Sequence, residues 1–408
     1  MRLHQALLFA LGLLLPAAAA PADIFAAITA GDVEAVKAEI AQGADLNASG
    51  ELGLPPLHLA AAAGLTDVVE LLIEAGADLG ARDVTGAAPL HAAAQAGSLD
   101  VVAFLLGQGA DLKAEDMLGG TALHSAAVGG QVEAARLLLE AGLDVNTGRG
   151  KLAGTPLHAA AAAGSADVVA FLLGQGADLK AEGMLGGTAL HSAAAGGQVE
   201  AARLLLEAGL DVDTGRDKLA GTPLHAAAAT GSTEAAKFLL DRGADLEARD
   251  NWGLTPLHQA ESRAMAAFLL ERGADVQARG PAGETPLHQL AYSEHTEAAS
   301  VLLEAGLGVD GRDNFGQTPL HVAAAASQLE FATFLLDHGA DIEAQDAAGS
   351  TPLALAACNG SQAAAKLLLA RGAQVNARDD AGDTPLAIAL REGQTETADL
   401  LREHGATE

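Results

Sequence analysis

Apolar residues return along this chain in short bursts at helical spacing, each burst closed by glycine. Between Leu157 and Gly176 the pattern is clear: Leu157 and a run of alanines to Ala163 come first, and Gly164 ends them. Val168, Val169, Phe171, Leu172 and Leu173 follow on one helix face, and Gly176 stops them. The reading is a short helix, a tight turn, a second helix, and a polar turn through Ala177-Asp178-Leu179. Thr155-Pro156 in front supplies an N-cap and a first helical residue with preset φ and no N–H to waste. Gly164 suits a left-handed C-cap. One such pair cannot bury its apolar face; stacked copies can.

The copies are present. Pro55-Pro56-Leu57-His58, Ala88-Pro89-Leu90-His91, Thr121-Ala122-Leu123-His124, Thr155-Pro156-Leu157-His158 and seven further variants recur along the chain. The series runs to Thr384-Pro385-Leu386-Ala387, with a step of 33 or 34 residues except for one of 30 between His258 and His288. A degenerate unit, Asp23 to about Ala48, precedes the series, and the last unit ends in polar residues around Leu400-Leu401. Both read as caps. Residues 101–115 repeat as 168–182, and 117–127 as 184–194, so a two-unit block has been copied in tandem.

The tetrapeptide and its period closely resemble the ankyrin repeat. The resemblance covers residues 23–408 and implies an all-α solenoid of helix-turn-helix units, about 12 repeats including caps. It also implies β-hairpin fingers between the repeats, and binding of another protein through fingertips and first helices, without catalysis. In that family the tetrapeptide histidine is structural, tying the Thr hydroxyl to nearby backbone.

Composition narrows the class of partner. Lys and Arg number 23 against 53 Asp and Glu, a net charge of −30, which disfavours nucleic acid and anionic membrane surfaces. Such acidity chiefly keeps an Ala- and Leu-rich chain soluble. Cys358 is the only cysteine, so no intramolecular disulfide forms and stability rests on packing. A monomer is expected.

Residues 1–22 have a different character. Arg2 and His4 precede the apolar run Ala6–Leu15, then Pro16 and a string of alanines. This is the form of a secretory signal peptide, with cleavage before Asp23 or, alternatively, after Ala19; an uncleaved N-terminal anchor is the competing reading. After Ala22 no apolar run is long enough to span a bilayer. The expected location is the periplasm or the medium.

Candidate chemistry is thin. Nine histidines belong to the tetrapeptides, about 33 residues apart, so neighbouring rings stand a whole repeat from one another and cannot share a metal. His124-Ser125 and His191-Ser192 are adjacent helical positions that do not face each other. The recurring Gly-Ala-Asp brings one acid per repeat, too few for a calcium loop. Gly119-Gly120 lacks the Lys of a phosphate loop. No catalytic residue, metal or cofactor is expected.

Binding surface is the better prospect. Large apolar residues fall in the fingers, where water is expected: Met117-Leu118, Leu152, Met184-Leu185, Leu219, Trp252 and Phe315. The turn after Ala260 is three residues short, and the next unit carries Gln289, Tyr292, Glu294 and His295. Trp and Tyr are enriched at binding hot spots. Trp252, Tyr292 and Phe315 are therefore expected to flank a binding patch, with Gln289 and His295 supplying polar contacts. The alternative is that these aromatics pack on neighbouring fingers or fill the irregular turn. The function expected is an exported, non-catalytic protein-binding scaffold; the alternatives are a secreted effector that binds a host protein and a small-molecule or peptide binder.

Overall fold

The computed structural model describes residues 23–50, 53–148, 152–183, 186–215 and 221–407. Residues 1–22, and with them the expected signal peptide, lie outside the described residues, as do Met184, Leu185 and Leu219. Among the described residues there are 23 α-helices and one 3₁₀ turn.

Each repeat is a pair of helices. In the pair Pro156–Ala163 and Ala166–Gly174, Gly164 turns the chain at φ 77°, and its N–H bonds back to the carbonyls of Ala160 and Ala161. Val168, Val169 and Leu172 are fully buried on the second helix. The first helices present methyl groups to one another: Ala160 and Ala161, Ala193 and Ala194, and Ala227 and Ala228 are all fully buried. Alanine serves here because it is a strong helix former and lets neighbouring backbones approach closely.

The fingers depart from the expected β-hairpin. They contain no strand among the described residues. Most close within five residues, as when Asp250 N–H donates to the Leu254 carbonyl (3.0 Å) and Gly253 N–H to the Asp250 carbonyl (2.9 Å). A turn that short leaves no length for a ladder.

The chain falls into two compact units. Of the described residues, one comprises those up to Met117 with 121–126 and 133–143; the other comprises those from 144 onward with 118–120 and 127–132. The first unit begins with helices Ile24–Ala30 and Val33–Ala41, capped by the side chains of Asp23 and Asp32. The second ends with Thr395–Glu403, which buries Ala398 and Leu401 and turns its charged residues outward.

The second unit also holds the irregular repeat. Pro256–Gln259 is a 3₁₀ turn and not an α-helix, because the chain leaves it at Ala260 and starts the next helix at Arg263. In the following repeat the first helix is only Pro286–Leu290. In most repeats Gly fills the position of Glu294 and turns left-handed; Glu294 does not adopt positive φ, so the helix stops early and a different turn follows. At the same position Ser327 does take φ 58°, the one such residue besides glycine among those described.

Candidate protein-binding surface

The fingers are built around an aspartate. Asp83, Asp250, Asp313, Asp346 and Asp379 each accept, on Oδ1, the N–H groups two and four residues ahead. This is an Asx turn, and it fixes the fingertip backbone. An Arg just before this position adds a second brace: Arg82, Arg249 and Arg312, each followed by the Asp, and Arg279, followed by Gly280, each donate to a carbonyl in their own finger and to one in the next. The bridging role of this Arg depends on where the next finger lies.

The fingertip residue two after the Asp points to solvent. Trp252 is 54% exposed and Phe315 is 62% exposed. Their own N–H groups are held at 2.9 Å by Asp250 and Asp313, so two large apolar rings stand on rigid turns. They lie two fingers apart, with Pro281 and Ala282 on the finger between. Leu152, Met117 and Leu118 are exposed as well.

From His158 to His321 both ring nitrogens of the tetrapeptide histidines are employed. Thr155 N–H donates to Nδ1 of His158 (3.2 Å), while Nε2 of His158 faces the carbonyl of Gly187 in the following repeat (3.1 Å). With Nδ1 accepting, the ring is the neutral tautomer that donates from Nε2. The same arrangement recurs at His191, His225, His258, His288 and His321. Burial pushes His191 and His258 down to about 4, against a smaller opposing effect of the carbonyl each one meets. No group of three or more His, Cys, Asp or Glu among the described residues could hold a metal ion.

A buried Thr-His pair that caps one helix and reaches one repeat forward, repeated along stacked helix pairs, is decisive together with one further finding. A family profile described as "Ankyrin repeats (3 copies)" matches residues 24–116, 86–149, 108–183, 147–216, 212–280, 277–346 and 343–407. The chain belongs to the ankyrin-repeat family. Ankyrin repeats generally mediate protein–protein interaction, so a protein partner is the kind this array takes. No curated protein matches the chain.

Within this ankyrin array the five expected contact residues do not share one patch. Trp252 and Phe315 are on fingers, which precede the first helices. Tyr292, 63% exposed, lies beyond the other end of its first helix, and its carbonyl accepts from Gln328 Nε2 (3.0 Å). His295 is on the same side, paired with Glu261 at 3.0 Å. Gln289 sits on the helix between the two groups, half-buried. All three aromatics are thus open to solvent, in two places. No helix among the described residues is long and apolar enough to cross a membrane.

Proposed function

We propose that this ankyrin protein is a non-catalytic scaffold that binds another protein through its fingertips, centred on Trp252 and Phe315. The observation that carries the reading is the exposure of these two rings on turns clamped by Asp250 and Asp313. A large aromatic side chain already ordered in the free protein loses little entropy on docking, which is how rigid anchors raise affinity. Tyr292, Gln289 and His295 form a secondary contact on the opposite rim. The test is a photocrosslinking amino acid placed at residue 252 or 315 in cells, with residue 381, the alanine at the equivalent place on another finger, as control. Adducts of one protein from 252 and 315 but not 381 support the reading; adducts from 381 alone sink it.

The reading includes export by cleavage before Asp23, supported by the basic start, apolar run and small-residue exit of residues 1–22. Fractionation with N-terminal sequencing tests it and separates periplasm from medium, where an effector would be found. Full-length chain in the cytoplasm would contradict export.

A further inference from the structure

Three kinds of tie that join consecutive repeats within the second unit are weakened around residues 255–284, while the Arg249 and Arg279 braces and the contact of His258 with the Glu284 carbonyl (3.3 Å) persist. The first is packing of the first helices, which are seven or eight residues long on either side at Pro223–Thr230 and Pro319–Ala325. Here they shrink to the four residues of Pro256–Gln259 and the five of Pro286–Leu290. Less helix buries less surface.

The second tie runs between fingertips. Asn314 N–H donates to the Ala282 carbonyl (2.7 Å), Ala347 N–H to Phe315 (2.8 Å), and Asp380 N–H to Ala348 (3.0 Å). Pro281 occupies the donor position opposite the Trp252 carbonyl and has no N–H. That finger keeps its Arg brace but lacks the Asp clamp: Gly280 replaces the Asp, and the Glu284 carboxylate folds back over it. One oxygen of Glu284 is buried there without a hydrogen-bond partner.

The third tie staples the interhelix turns. Ser232 Oγ donates to Ala195 O (3.0 Å), Gln328 Nε2 to Tyr292 O (3.0 Å) and Ser361 Oγ to Ala325 O (2.9 Å). In the short turn, Ser262 Oγ instead accepts from Met265 N–H in its own helix (3.2 Å). The next turn reaches back only through the half-exposed His295–Glu261 pair. An open surface recess of about 360 Å³ lies beside this turn, against Glu261, Ser262, Glu294, His295 and Glu330.

The second helices, by contrast, stay stitched. Arg272 meets Asp241 at 3.2 Å, and Arg263 donates to Ser300 Oγ at 2.8 Å. From this asymmetry we infer that the repeat 255–284 is a hinge. It opens on the first-helix side about the linked second helices, and its angle sets the separation of the Trp252 and Phe315 fingertips. The hinge stands on its own contacts; its role in tuning the binding surface rests on the fingertip reading above. A partner that grips both rings selects one hinge angle.

The test uses spin labels on the chain from residue 23, with Cys358→Ala to remove the native thiol. Asn251→Cys with Asn314→Cys spans the hinge over two finger steps. Asn314→Cys with Asp380→Cys spans two fully tied steps and is the internal control. Pulsed electron–electron distance measurement should give a distribution roughly twofold wider for the first pair, as for a hinge against a rigid stack. Pro281→Asn, which restores an N–H opposite Trp252, should narrow the first pair and leave the control unchanged. Equal widths for the two pairs, or a width that Pro281→Asn does not alter, would overturn the hinge. No partner is present in the measurement, so failure here is distinct from failure to find one.

Discussion

The imidazole of His225 lies between its own repeat and the next: Thr222 N–H meets its Nδ1 at 3.1 Å, and its Nε2 meets the Leu254 carbonyl at 3.0 Å. One side chain therefore closes the start of a helix and ties it to the next finger. A charged ring would set an N–H at Nδ1 against the Thr N–H, so the neutral form is the one the fold uses.

This has a pH consequence. His191 and His258 are held near 4, and burial also lowers His58, His158, His288 and His321 below their ordinary value of 6.5. The unfolded chain then binds more protons than the folded one between about 6.5 and 4. Stability is fully present above about pH 6.5 and is lost as pH falls toward 4. Urea midpoints should drop steeply over that window. Relief of acidic self-repulsion acts in the opposite sense but is screened by salt, so the drop should be larger, not smaller, in high salt.

His58 is the exception in this ladder. Its Nε2 meets the Ala87 carbonyl at 2.9 Å, but Nδ1 is buried without a partner because Pro55 stands where most repeats have Thr. Pro55 has no N–H to donate. Pro55→Thr should supply the missing donor and stabilise the first unit by about 1 kcal/mol. Protection of the His58 repeat in hydrogen exchange would report it, and unchanged protection would count against this account of the ladder.

Ser327 gives a second stabilising change. It turns left-handed at φ 58° where most repeats place Gly. Ser327→Gly should gain about 1 kcal/mol by relieving that conformation, measurable as a higher urea midpoint. A destabilised variant would mean the Ser hydroxyl matters more than the backbone.

Trp252→Ala and Phe315→Ala should each change stability by no more than about 0.5 kcal/mol, because neither ring is buried. A large loss for either would show that the ring serves finger packing and is not a free anchor.

Much of this was legible in the sequence. Thr-Pro starts, Gly stops and the apolar spacing of Val168, Val169 and Leu172 define the helix pairs, since each is a local rule read within a few residues. The three-residue deletion after Ala260 shows as a shortened first helix. Two features escaped. Trp252 and Tyr292, some forty residues apart, look adjacent if only repeats are counted. Their register says otherwise: Trp252 comes three before Thr255, and Tyr292 four after His288, so they fall at opposite ends of a helix. The ties between fingers were hidden for another reason. Whether Asn314 N–H reaches Ala282 depends on the spacing between repeats, which no single repeat encodes.

The most direct test of the binding surface is capture of a partner by residues 23–408 beside a Trp252→Ala/Phe315→Ala variant. Both are used as bait in cell-envelope extract after circular dichroism shows that both are folded. The account predicts a protein held by the parent and lost, or weakened at least about tenfold, with the variant, the scale expected when two hot-spot aromatics are removed. Equal capture of the same protein by both baits would contradict it and move the contact away from these fingertips.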